Sequence, residues 1–263
     1  MHRSLREHVA GQTAMCAVVS AQADAPPRST FQRIIGVSPL TPESRRSYRG
    51  ALGELVVGDI LENLGPVWDV LHDLPLGARL LDHLVIGPAG VWAVRAVNAT
   101  DADVVVDGDQ FVVGGDPRSD IPESIEDAST TARFLATAAE SPVHVQPLLV
   151  VVDPTKLTVK RPASGVRIVA SSDLHRFLAR AARTLTGEDV ARISDLADLE
   201  STWPPGGSDR LDTQKLHRDF TVIRADVRTA LARRIGWSAA GIGLLYGLVW
   251  GVIATLVGTI MAS

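Results

Sequence analysis

The sequence predicts an α/β fold: a mixed β-sheet with helices on its faces, followed by a linker and a C-terminal transmembrane helix. Three observations predict it. Short alternating or apolar segments intersperse with longer segments of helical period. The run Leu148 to Val152 is apolar and β-branched, as a buried central strand requires. From Ile235 to Ser263 no residue is charged, and about 20 apolar residues suffice to span a bilayer core.

The elements follow in order. Thr41-Pro42-Glu43 opens a helix with an N-cap, a proline at the first helical position and an acid in the first turn. It runs to about Leu64, before Gly65-Pro66. Tyr48, Leu52, Leu55, Val56, Ile60 and Leu64 form its apolar face, and Glu54 projects at the margin. Gly50 and Gly58 flank Glu54 at helical spacing, leaving room for another group to approach the carboxylate. Val67–Leu74, Leu80–Ile86 and Val91–Val97 read as strands, the last two joined by the turn Gly87-Pro88-Ala89-Gly90. Asp103–Val106 and Gln110–Val113 flank Asp107-Gly108-Asp109 as a hairpin. Asp120 with Glu123 fits a capping box opening a helix to about Glu140. Val166–Ala170 is a further strand, and helices follow over Asp173–Leu185 and Glu188–Leu199. Trp203-Pro204-Pro205-Gly206-Gly207 breaks the chain, and a charged helix from about Ser208 to Arg234 leads into the apolar tail. The expected organisation is a disordered extension at 1–28, a folded domain at 29–200, a linker and juxtamembrane helix at 201–234, and the span at 235–263.

Composition excludes several classes. With 46% apolar and 21% charged residues the chain is not broadly disordered. Lys and Arg number 26 against 30 Asp and Glu, so a globally basic nucleic-acid coat is excluded. The single cysteine, Cys16, rules out an internal disulfide, a Cys-rich zinc module and a CxxC redox site. P-loop, Rossmann and nucleophile-elbow motifs are absent.

Arg228, Arg233 and Arg234 precede the uncharged tail and nothing charged follows it. The positive-inside tendency therefore predicts a single-pass protein of the cell membrane with its folded domain in the cytoplasm, and Trp237 sits where an interfacial anchor belongs. Gly243, Gly247 and Gly251 recur every four residues. Such a row lets a second helix approach closely, so a homodimer is expected through this face. Near the N-terminus Ala21-Gln22-Ala23 resembles a cleavage site, but the apolar run before it, Ala14 to Val19, is short for a secretory signal.

The stretches Gly50-Ala51-Leu52-Gly53-Glu54, Leu71-His72-Asp73-Leu74 and Leu81-Asp82-His83-Leu84-Val85-Ile86-Gly87-Pro88-Ala89-Gly90-Val91-Trp92 resemble the nuclease-related domain family, NERD. The resemblance covers about residues 47–180 and is most specific in its first half. It implies a restriction-endonuclease-like fold. It also implies a centre in which a helix Glu, a strand Asp and a Glu-x-Lys on the next strand hold a divalent metal for phosphodiester hydrolysis. Carried over, the helix acid is Glu54 and the strand acid is Asp82. The Glu-x-Lys positions are occupied by Arg95 and Val97, with Asn98 retained after them.

Strand alternation gives that loss a physical consequence. Asp82 shares a face with Leu80, Leu84 and Ile86, where a carboxylate must be paired. If Ile86 lies opposite Val91, then Asp82 lies opposite Arg95, with Cβ atoms about 4.5–5.5 Å apart. The guanidinium then neutralises Asp82 directly. A hard cation needs several oxygens and avoids an adjacent fixed positive charge. No metal or other cofactor is expected, and Mg²⁺ or Mn²⁺ enters only if the chain is an active nuclease.

His72 and His83 lie on neighbouring strands, but without a third ligand a structural role is expected for them. Arg45, Arg46 and Arg49 form a basic patch that suits nucleic-acid phosphates or anionic lipid. The expected protein is a membrane-anchored, catalytically degenerate relative of a nuclease, serving binding, sensing or scaffolding. The alternatives are an active metal-dependent DNA nuclease in which Asp101 or Asp103 replaces the lost acid, and a self-associating structural membrane protein.

Overall fold

The computed structural model describes residues 4–206 and 212–261, and side chains as far as 251. The chain divides into two compact units, Met1–Ala17 with Arg46–Thr213, and Val18–Arg45 with Gln214–Ser263.

The architecture is mixed α/β, with two sheets flanked by helices. β1 (Asp69–Pro75), β2 (Leu80–Gly87) and β3 (Gly90–Asn98) form an antiparallel meander. Ile86 lies opposite Val91 and Leu84 opposite Ala93, the register expected from the Gly87–Gly90 turn. β4 (Asp103–Asp107), β5 (Gln110–Val113) and β6 (Asp116–Arg118) form a second antiparallel set. β7 (Val145–Val152) pairs parallel with β3, and β8 (Lys156–Arg161) pairs parallel with β4. β9 (Arg167–Ala170) closes the first sheet, whose order is β1-β2-β3-β7-β9; the second is β6-β5-β4-β8. β7 is buried on both faces, which explains its unbroken Leu148 to Val152 run. β8 is mostly exposed and rich in Lys and Arg, so it shows no alternation and only its pairing to β4 makes it a strand.

The helices are α1 (Gln12–Ala23), α2 (Thr30–Ile34), α3 (Pro42–Glu62), α4 (Asp120–Ala139), α5 (Ser171–Arg180), α6 (Gly187–Asp198) and α7 (Thr213–Met261). Successive strand residues divide between the faces of the first sheet. Leu84, Ile86, Val91 and Ala93 pack with Ala128 and Leu135 of α4 and Ile193 of α6. Val85, Trp92, Val94 and Val150 pack with Val57 and Leu61 of α3 and Leu174 of α5. Val97, Leu149 and Val151 pack with Val104, Val106 and Phe111 of the second sheet. Each fully buried Leu, Ile or Val in these clusters contributes about 2 kcal/mol.

Three boundaries differ from the sequence reading. The expected disordered extension carries a 3-10 turn at Leu5–Glu7 and then α1. Leu5, Ala10, Met15 and Val18 are buried. Arg6 pairs with Asp69 at 2.8 Å and Asp198 at 3.3 Å, and Ser4 Oγ donates to Asp198 Oδ1 at 2.8 Å. The partners lie more than sixty residues away, so no local pattern announces them. The linker expected from 201 also starts inside the domain. Trp203 is buried with Phe134 edge-on at 6.1 Å, and its Nε1 donates to Ala197 O at 2.8 Å. Residues 207–211, where the charged helix was expected to begin, lie outside the described residues, and α7 starts at Thr213. The helix at 120 is preceded by Ser119, whose Oγ bonds the Glu123 carboxylate, so the N-cap is one residue earlier than Asp120.

Of the expected span at 235–263, residues 235–261 fall within α7, while residues 262–263 and the side chains from 252 onward lie outside the described residues. Among the described residues no helix is long and apolar enough to cross a membrane.

Trp203→Ala removes a buried indole and leaves the Ala197 carbonyl without its donor. It should lower unfolding stability by about 3–5 kcal/mol, read as a fall in urea midpoint. A variant within 0.5 kcal/mol of the parent, on the order of an exposed-site change, would show Trp203 to be linker after all.

Candidate functional site

The site forms where β1, β2 and β3 meet α1, α3 and α4. The β1–β2 ladder pairs His72 with His83 and Leu74 with Leu81, but skips the position between. Asp73 and Asp82 occupy that unpaired position. Asp73 adopts φ +56°, in the left-handed region, which takes it out of the ladder. Its carboxylate turns to α1, where Oδ2 accepts from Thr13 N at 3.0 Å and Thr13 Oγ1 at 2.6 Å. Asp82 accepts from the backbone N–H of Ala96 at 2.8 Å.

Glu54 of α3 completes a trio of carboxylates. Gly11 lies against this turn of α3: a Cβ there would stand 3.3 Å from Ala51 O and 3.5 Å from Glu54 Cβ. The space expected beside Gly58 is already filled. A Cβ there would collide with Ala10, and the His72 and His83 rings lie just beyond.

Arg95 is on β3 and half-buried, as the register requires, but the direct pair with Asp82 does not form. Among the described residues no ion pair within 4.0 Å joins them. The guanidinium instead reaches α4, with Nη2 at 2.6 Å from Asp127 Oδ2 and Nη1 at 3.1 Å from Glu123 Oε2. Asp127, almost wholly buried, also takes Arg79 at 2.8 Å. The β2–β3 ladder ends at His83 and Val94. Beyond it the strands are no longer paired residue to residue, so the cross-strand geometry assumed from the sequence lapses one step before Asp82. Arg95 still acts on both acids through space. Val97 is 2% exposed and belongs to the core between the sheets. Asn98 ties β3 to α3, its Nδ2 donating to Arg49 O at 3.0 Å. A Cβ at Gly53 would stand 3.2 Å from Asn98 Cβ, so Gly53 admits this close crossing.

Burial, then the charges of Asp82 and Asp73, push Glu54 well above the usual carboxylate range, and Arg95 offsets this only in part. Burial raises Asp82 to about 6 against the Arg95 charge and the Ala96 N–H, with Asp127 and Asp73 adding to the rise. Burial also raises Asp73, opposed by its two Thr13 hydrogen bonds. The carboxylate that joins Glu54 and Asp82 is therefore Asp73, and neither Asp101 nor Asp103 is among the charges acting on them.

A divalent metal does not fit these residues. Burial and the neighbouring acids push Glu54 well above the usual carboxylate range, Asp73 is committed to Thr13, and a guanidinium stands beside Asp82. Among the described residues no three His, Cys, Asp or Glu side chains converge as a metal site. His72 and His83 do meet, but on each other: one Nδ1–H donates to the other Nδ1 at 2.8 Å, rings perpendicular. Burial lowers His72 to about 4 and His83 well below its usual value. Both rings are neutral near pH 7, which one donor and one acceptor Nδ1 require.

Arg45, Arg46 and Arg49 are exposed on the first turns of α3. Gly243, Gly247 and Gly251 have open space where a Cβ would stand. Sequence reading missed Asp73 and Asp127 as site residues. An acid within a strand segment flanked by leucines, Leu71-His72-Asp73-Leu74, was one available signal. The other was the stripe Ile121, Ser124, Asp127, Thr131, Leu135, which places Asp127 on the buried face of α4.

Residues 49–152 match the family model of the nuclease-related domain, NERD. No curated protein and no solved structure matches the chain.

Asp82→Asn keeps an oxygen to accept the Ala96 N–H and removes the buried charge. The raised value of Asp82 means that the folded state binds its proton more tightly, so the wild type loses stability as pH rises from about 4 to about 6. The variant should gain roughly 1–3 kcal/mol over wild type at pH 8, shrinking towards zero below pH 4. Urea unfolding at the two pH values measures it, and an equal difference at both would refute the buried-charge account.

Proposed function

With a nuclease-related domain at residues 49–152 as the premise, we propose that the nuclease centre of this protein is degenerate and that the domain serves binding or scaffolding at the inner face of the cell membrane. One observation carries the first part. The cation beside Asp82 and Glu54 is the Arg95 guanidinium, bound to Asp127 and Glu123 and so fixed within the fold. A guanidinium neutralises carboxylates, but it lowers the pKa of no bound water and polarises no phosphoryl oxygen as a Lewis acid does. The lysine position is Val97, sealed in the core, so no second group is on hand to stabilise developing charge. Anchoring is supported by the uncharged run from Ile235 and the arginines before it. The exposed Arg45, Arg46 and Arg49 support a role for the domain in contacting phosphates. The glycine row supports self-association of the anchor.

The second reading, an active metal-dependent nuclease, is favoured by Glu54 and Asp82 lying close enough for the Asp82 charge to act on Glu54, with Asp73 acting on both. The two readings separate in one assay. Full-length protein in detergent should leave supercoiled plasmid intact with Mg²⁺ or Mn²⁺, and calorimetric titration with Mn²⁺ should give no saturable heat. Cleavage that disappears in both Asp82→Ala and Glu54→Ala would establish the nuclease. Retarded plasmid mobility that weakens with salt, and weakens further in the Arg45, Arg46 and Arg49 alanine variants, supports the binding role.

A further inference from the structure

The segment around α2 carries apolar side chains that belong to none of the three cores. Phe31 is 68% exposed and Ile34 49%, and Ile35 and Val37 are also exposed. Single exposed apolar residues are ordinary, but four within seven positions form a patch. The patch is held in place. Ser29 and Gln32 close a capping box on α2. Gly36, at φ +79°, lies so close to α7 that a Cβ would collide with Ala230 O and stand 2.6 Å from Arg234 N. Arg233 Nη1 donates to Arg33 O at 2.9 Å and Trp237 Nε1 to Ile34 O at 2.8 Å. Arg28 pairs with Asp226 at 3.0 Å and donates to Val37 O at 2.9 Å. These bonds clip the patch to α7 between Asp226 and Trp237, where the last arginines give way to the uncharged run.

We infer that Phe31, Ile34 and Ile35 insert into the headgroup–acyl boundary of an anionic phospholipid bilayer, as a second membrane contact beside α7. The inference rests on the anchoring of α7 proposed above. Two observations choose lipid over a protein partner. Beyond the clip α7 is exposed on all sides, with Ile242, Leu244, Leu245, Tyr246, Leu248 and Trp250 at successive angles. A protein partner covers one stripe of a helix, whereas lipid covers its whole circumference. The polar rim of the patch is also one-signed. Arg33, Arg228, Arg233 and Arg234 are exposed around it, and the acid among them, Asp226, is paired with Arg28. Exposed apolar tips among arginines suit an anionic interface. The clip then fixes the depth at which α7 enters the bilayer.

The test uses full-length protein with Cys16→Ser, reconstituted into phosphatidylcholine–phosphatidylglycerol vesicles. Single cysteines at Phe31→Cys, Ile34→Cys, Leu245→Cys and Val222→Cys each carry an environment-sensitive fluorophore. Lipids bearing nitroxides near the headgroup or deep in the chains report depth. Positions 31 and 34 should shift to the blue and be quenched by the shallow nitroxide. Position 245 should be quenched by the deep one, and 222 by neither. If 245 is quenched and both 31 and 34 behave like 222, the anchor stands and the second contact is refuted. If 245 is not quenched, the anchoring reading fails and this inference falls with it. Shielding of 31 and 34 from aqueous iodide without lipid quenching identifies a protein cover and also overturns it.

Discussion

Three carboxylates crowded at one end of a sheet must be reconciled with the low polarity around them. Burial raises the proton affinity of Glu54, Asp73 and Asp82, Asp73 adds to the rise at the other two, and the fold answers each differently. Asp73 leaves the ladder and takes two hydrogen bonds from Thr13. Asp82 takes one backbone N–H and stands near a guanidinium. Glu54 is pushed well above the usual carboxylate range. The N-terminal helix and the left-handed Asp73 meet at the Thr13 hydrogen bonds, and the Arg95 guanidinium acts on both other acids.

Arg95 itself is balanced from the far side. Asp127 receives Arg95 and Arg79 together, with Glu123 and Glu126 at the rim. Buried ion pairs contribute little net stability because desolvation opposes the Coulomb gain, yet removing one partner costs several kcal/mol. Such a network therefore suits a fixed role, bracing β3 against α4. Asn98 has a bracing role too, holding β3 to α3 through the Arg49 carbonyl.

The histidines make a parallel point. His72 and His83 sit at matching positions of adjacent strands, a spacing that suggests a shared ligand. Their Nδ1 atoms are committed to each other, and the glycine facing them, Gly58, is there because Ala10 packs against it. Side chains that resemble donors are here components of a core that closes only when the N-terminal segment docks.

Alternation, turn residues and a contiguous motif are local signals, and from them the strands of the meander, their register and the likeness of 49–152 to a nuclease-related domain were legible. The sequence also led to the expectation that Arg95 and Val97 stand at the acid and lysine positions of the nuclease-related family. It did not show where the Arg95 guanidinium goes. A long side chain chooses among acids on elements distant in sequence, and Asp127 lies on a helix whose docking depends on the whole sheet. The order of residues 5–23 and the burial of Trp203 were likewise hidden, since their partners are Asp69, Asp73, Asp198 and Phe134 rather than near neighbours. Local pattern sets what each segment can become, and long-range packing decides which charges meet.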